Sequence, residues 1–290
     1  MEIEPATVPA PFCYSGSARM PSSHRPSRKA YLLITLFALL LVMFPFLFWY
    51  ETWFGRHLTD AQIDAYFADT AKPRHAQHAL VQLGERLSRR QNVSRWYPQV
   101  LAAAQSPILE LRQTAAWIMG QDPKYPPFQD ALRRLIHDPQ PMVRRNAALA
   151  LSVFGDADAR PELDAMLRPY TLTAPATGAL EYRLKPGDYV NPGTLIARIG
   201  GAEVRSPVPG EVRALDQADG AAVHTGAPLA DLAADKNHIW EALRALYLVG
   251  QPADLEEVER YTHPIPGLPE SIARQATLTA QAIQSREKSR

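Results

Sequence analysis

The sequence predicts an α+β protein: an N-terminal transmembrane helix, then an array of helical repeats interrupted by a small β-sandwich or barrel. Three observations carry this. Residues Tyr31 to Tyr50 form an uncharged apolar run. An eleven-residue pattern of Ala, Leu and a final Gly recurs along the chain. Between two of its copies, residues 171–235 lose helical periodicity and gain a duplicated Pro and Gly pattern.

The first 30 residues hold Pro5, Pro9, Pro11, Pro21 and Pro26 with several serines, a composition that predicts a disordered tail. The apolar run follows. YLLITLFALLLVMFPFLFWY contains no charge, and twenty helical residues rise about 30 Å, the depth of a bilayer's hydrocarbon core. Tyr31, Trp49, Tyr50 and Trp53 suit the two membrane interfaces, and Pro45 predicts a kink. Arg19, Arg25, Arg28 and Lys29 precede the run, and Arg56 is the nearest base after it. The positive-inside rule therefore keeps residues 1–30 in the cytoplasm and places 51–290 across the membrane, in the periplasm of a Gram-negative cell. A cleaved signal peptide would have a shorter apolar stretch and a small-residue cleavage site, whereas WYETWFG follows here. The expected location is thus the inner membrane, single-pass. Cys13, the single cysteine, lies before the run rather than after it, which speaks against lipoprotein acylation.

Residues 51–168 and 236–290 share the repeat. Arg74–Gly84, Arg145–Gly155 and Trp240–Gly250 carry Ala at the third place (Ala76, Ala147, Ala242) and at the sixth (Ala79, Ala150, Ala245). Leu follows at the seventh (Leu80, Leu151, Leu246) and Gly at the eleventh. Leu111–Gly120 is a shorter relative. Ala and Leu at this spacing make one helical face, small enough for close helix approach, and the Gly is expected to end the helix in a left-handed turn. Pro107 and Pro141 mark helix starts. The stretch Met142-Val143-Arg144-Arg145-Asn146-Ala147-Ala148-Leu149-Ala150-Leu151 resembles the second helix of HEAT-type α-solenoids. That resemblance implies stacked helix pairs, each buried only against its neighbours, with a surface for protein partners.

Residues 169–235 form the β-rich block. Ala174–Ile199 and Ser206–Leu232 repeat one another: Pro175 with Gly178 matches Pro207 with Gly210, Gly187 matches Gly220, and Gly193 matches Gly226. Short strands between glycine turns give a compact β-fold. The duplication resembles the biotinyl/lipoyl fold. In carriers of that fold a lysine between the halves bears the prosthetic group; here that hairpin is Gly200-Gly201-Ala202-Glu203-Val204-Arg205, and Lys185 lies elsewhere. No cofactor is expected. Ser206-Pro207-Val208-Pro209-Gly210 is also similar to a segment of membrane-fusion adaptors, which instead place a long helical hairpin between the halves. The block is expected to be inserted within one repeat, since Glu162–Leu167 reads as a first helix whose partner is the helix at Trp240–Gly250.

Charge and motifs exclude several functions. Lys plus Arg is 31 and Asp plus Glu 30, which leaves no basic excess for nucleic acid. One cysteine cannot build a Cys-rich zinc or iron–sulfur site. There is no phosphate-binding Gly loop with Lys and no Gly-x-Ser-x-Gly elbow. His75 with His78 lacks a third ligand, His224 and His238 merely flank the end of the β-block, and Asp156 with Asp158 suits a turn. The expectation is a non-enzymatic scaffold binding protein, with an integral inner-membrane complex as partner and no small-molecule substrate; the alternative is a shortened adaptor of an efflux or secretion transporter. Candidate contact residues are Arg112, Trp117, Arg144 and Arg145. The arginines equally suit hydrogen bonds between repeats, and Trp117 equally suits the core.

Overall fold

The computed structural model describes residues 28–52 and 57–288; the rest of the predicted tail, with Cys13, lies outside the described residues. The chain divides into two units, Met1–Arg56 and His57–Arg290. In the first, α1 (Arg28–Thr52) runs through Pro45. Its large side chains from Tyr31 to Leu47 are all exposed. Those 17 residues span about 25 Å. Among the described residues no helix is long and apolar enough to cross a membrane, so the transmembrane helix expected over Tyr31–Tyr50 is not found among them.

The second unit consists of helix pairs and a β-block. The pairs are α2 (Asp60–Ala68) with α3 (Pro73–Ser88), α4 (Tyr97–Ala103) with α5 (Leu109–Met119), and α6 (Pro126–Leu135) with α7 (Pro141–Val153). Next, α8 (Arg160–Leu167) pairs with α9 (Lys236–Val249) across the β-block, and α10 (Leu255–Glu259) pairs with α11 (Glu270–Lys288). The second helices also stack in one row, α3 on α5, α5 on α7, α7 on α9 and α9 on α11. One continuous apolar core runs from Leu58 to Ile283 through this stack. The repeat's Leu80, Leu151 and Leu246 are fully enclosed in it, as are Ala79, Ala147 and Ala242. Proline begins α3, α6 and α7, where its missing N–H costs no helix bond.

The repeat glycines act differently from the sequence expectation. Only Gly155 has the left-handed backbone, with φ of +73°. Gly84 lies inside α3, and a Cβ there would stand 2.2 Å from the Trp117 ring. At Gly120 a Cβ would meet that of Ala150 at 2.9 Å, and at Gly250 it would meet Ile283 Cδ1 at 2.8 Å. Gly84 and Gly120 are thus contact points between neighbouring second helices, explained by close approach rather than turn geometry. At Gly250, the C-cap of α9, a Cβ would also meet its own helix's Leu246 O at 2.5 Å, so the helix end and the neighbour both exclude a side chain.

The β-block comprises β1 (Tyr170–Thr173), β2 (Gly178–Tyr182), β3 (Tyr189–Val190), β4 (Leu195–Ile199), β5 (Ala202–Arg205), β6 (Gly210–Leu215), β7 (Ala222–Val223) and β8 (Pro228–Leu232). They form two antiparallel sheets, β1-β8-β6-β3 and β5-β4-β2-β7. Exchanging the first four strands with the last four turns one order into the other. The halves interlock through matching bonds: Gly193 N–H donates to Ser206 O at 2.7 Å and Gly226 N–H to Ala174 O at 2.8 Å. Likewise Gly187 N–H reaches Val212 O and Gly220 N–H reaches Leu180 O, both at 2.8 Å. Each of these turns thus closes on a strand of the other half or on the residue just after one. A separate apolar core fills the space between the sheets. The link between halves is the two-residue turn Gly200–Gly201, whose φ values of +55° and +89° suit a tight hairpin.

Candidate functional site

The three candidate arginines are engaged inside the chain. Arg112 on α5 grips Asp138, in the loop before α7, through Nε to Oδ2 at 2.7 Å and Nη2 to Oδ1 at 3.1 Å. Its Nη1 donates to Ser106 O at 2.9 Å. Burial alone would raise the Asp138 carboxyl; hydrogen bonds from Arg112 and from the Gln140 N–H, with the charges of Arg112 and Arg144, outweigh it and hold the group below its usual value. One repeat further on, Arg144 Nε donates to Glu162 Oε2 at 2.8 Å and Nη1 to Asp138 O at 3.0 Å. Arg112 and Arg144 therefore meet at Asp138 and tie α5 to α7 and α7 to α8.

Arg145 points elsewhere. It is 5% exposed, its Nη1 lies 2.8 Å from His238 Nδ1, and its Nε stands 3.9 Å from Glu162 Oε1 with no hydrogen-bond acceptor. Burial opposes the guanidinium charge, and Glu162 offsets this in part. Burial and the Arg145 charge push His238 down to about 4, so a neutral ring accepts from Arg145. His238 opens α9, whose N-cap is Asp235; the cap carboxylate accepts from the N–H groups of Asn237 and His238 at 3.0 and 3.1 Å. Asp235 also accepts from Tyr189 Oη on β3 at 2.8 Å. The four side chains join α7 to the β-block.

Trp117 stands apart from the arginines. Its ring packs over Gly84, yet the residue stays 44% exposed. It faces a groove of about 570 Å³ lined by α5, α7, α9 and α11. Outside α1, the exposed large apolar residues among those described are Trp117, Val153, Tyr189, Tyr247, Leu248, Ile265 and Leu278. Five of the seven, all but Tyr189 and Ile265, line this groove. Exposed apolar residues are normally scattered singly, so five gathered in one groove are an unusual concentration. Leu149, Asn146, Arg244 and Gln275 complete its walls and supply polar groups at its edge.

Sequence reasoning reached Trp117 but missed Val153, Tyr247, Leu248 and Leu278. A signal was available in Leu246-Tyr247-Leu248: three successive apolar residues on a helix cannot all face one core.

The remaining candidates are structural. His75 pairs with Asp69 at 2.9 Å and stacks on Tyr66. Asp156 accepts from Arg133 and Gln129 and from the Asp158 N–H. Among the described residues no group of three His, Cys, Asp or Glu could hold a metal ion.

A family model of HEAT repeats matches residues 97–180, which covers α4 to α8 and runs on into β1 and β2. No curated protein gives a significant match. The matched region is a helical-repeat region of a type that commonly mediates protein–protein contact.

Proposed function

We propose that this chain is a non-enzymatic scaffold, held to the inner membrane by the Tyr31–Tyr50 run, whose helical row docks a protein partner in the Trp117 groove. The observation that carries the reading is the gathering of five exposed apolar side chains on one surface of the stacked second helices. Aromatic anchors in such a recess supply most of the binding energy of a protein contact. The arginines serve the fold, and the docking rests on Trp117, Tyr247, Leu248 and Leu278. The partner is an integral inner-membrane complex, with this chain as assembly factor or accessory subunit: an anchor confines encounters to the membrane plane. The charge pattern around the run supports a cytoplasmic N-terminus and a periplasmic body.

We read the β-block as lipoyl-like, on its interlocked halves and exchange-symmetric strand order. Its connecting turn is Gly200–Gly201, so it has neither the carrier lysine nor an adaptor's helical hairpin. It works as a rigid appendage beside the groove-bearing row.

A photo-crosslinking residue at Leu248, in the full-length protein at native expression, tests the docking. A discrete adduct is expected from position 248, none from exposed Glu256, and loss of the adduct in Trp117→Ala by tenfold or more. Equal adducts at 248 and 256, or none at 248, would overturn it.

A further inference from the structure

The joint between α8 and α10 contains an acid pair that the docking reading does not use. Asp254, in the turn before α10, is 1% exposed. Arg160 grips it with Nε to Oδ2 at 2.7 Å and Nη2 to Oδ1 at 2.6 Å, and the Gln251 N–H adds a third bond at 2.7 Å. Asp254 therefore accepts three hydrogen bonds. Asp164, one turn along α8 from Arg160, shares that face of the helix, and its carboxyl is within hydrogen-bonding reach of Asp254. Its Oδ1 is buried and no hydrogen-bond donor reaches it. A charged oxygen in that position would be desolvated, unpaired and beside a second negative charge. A proton on Asp164 removes all three penalties, because the acid then donates to Asp254.

We propose that Asp164 is held as the carboxylic acid and that the proton it shares with Asp254 is a pH-responsive clip fastening the α10–α11 pair to α8. Burial first, then the Asp254 charge and the hydrogen bond to it, push Asp164 up to about 7, against the opposing charges of Arg168 and Arg160. The other ionisable groups nearby have charged or polar neighbours of their own, although Arg145 Nε and Glu257 Oε2 are themselves buried without a hydrogen bond. Arg144, Arg145 and His238, from α7 and α9, gather at Glu162, two residues earlier and so on the far side of α8. Glu257 on α10 pairs with Arg168 at 2.8 Å and with Arg260 at 3.0 Å.

The sign follows from linkage. With the joint closed Asp164 keeps its proton up to about pH 7; with it open the group is solvated and loses its proton near pH 4. Raising pH through that window therefore favours opening, by up to about tenfold per unit, and the effect levels off above pH 7. Since α11 carries Leu278 and Gln275 into the groove, the clip also sets how firmly that wall is held; this consequence alone rests on the docking reading.

Hydrogen exchange of the full chain in mild detergent, from pH 5 to 8 and corrected for intrinsic exchange, tests the clip. Opening of α10–α11 relative to α3–α5 should grow with pH to about 7 and then plateau. Asp164→Asn, whose amide can donate in place of the acid, should flatten the curve. A flat wild-type profile, or one unchanged by Asp164→Asn, overturns the clip. The photo-crosslinking at Leu248 is read separately at a single pH, so failure of one reading leaves the other standing.

Discussion

At Gly84 a single hydrogen atom makes room for an indole. A Cβ there would lie 2.2 Å from the Trp117 ring, and the ring has open groove on its other side. Gly84→Ala should therefore push Trp117 outward, at a cost of about 1–3 kcal/mol; a shifted tryptophan emission with a lowered urea midpoint is the expected result. His238 gives a second prediction. Its folded value of about 4 lies below the unfolded 6.5, so the native state binds fewer protons between them. Its contribution is complete above about pH 6.5 and is lost as pH falls toward 4, a change of about 1–3 kcal/mol. His238→Asn, which keeps an acceptor for Arg145, should flatten this acid dependence in urea titrations at pH 4.5 and 6.5. Asp164 slopes the other way over nearly the same range, so each effect must be read as wild type against its own variant.

Between elements, charge pairs set the register of the stack. Arg112 and Asp138 are 14% and 6% exposed at their side chains, and the pair fixes α5 against the loop entering α7. Removing only the cation leaves an enclosed carboxylate, so Arg112→Ala should cost about 3–5 kcal/mol in chemical denaturation. Asp138 is held below its ordinary value, so its stabilisation is present above about pH 4 and lost as pH falls through the folded value. The helices were legible because Ala147, Ala150 and Leu151, like Ala242, Ala245 and Leu246, repeat at helical spacing and are the enclosed positions. The glycine roles were misread because sequence shows that a side chain is missing but not which neighbour fills the space. The groove was hidden for a related reason. Tyr247 and Leu248 look like core residues until the stacking direction of α9 shows them turned away from Leu246. Arg160–Asp254 and Arg168–Glu257 pair across 94 and 89 residues, and nothing local in the sequence signals such partners.

On the scale of the whole chain, two apolar cores are held in one unit, one in the helix stack and one in the β-block, with Asp235, Tyr189, Arg145 and His238 at their junction. The β-duplication was readable because its turns demand glycine at matching places, with φ of +86° at both Gly193 and Gly226. A C-terminal alkaline phosphatase fusion should be active and a C-terminal green fluorescent fusion dark if the body is periplasmic; the reverse pattern would refute that placement. The interruption of the fourth helix pair also has a kinetic meaning. Helix α8 has its apolar side ready by residue 167, but its partner begins at Lys236. A chain emerging N-terminus first must carry that sticky surface bare while the entire β-block is made. Joints such as Arg112 with Asp138, 26 residues apart, can close early, whereas the last two pairs wait for chain ends that arrive late. Misassembly, protease nicking and chaperone capture should accordingly concentrate at this late-closing seam.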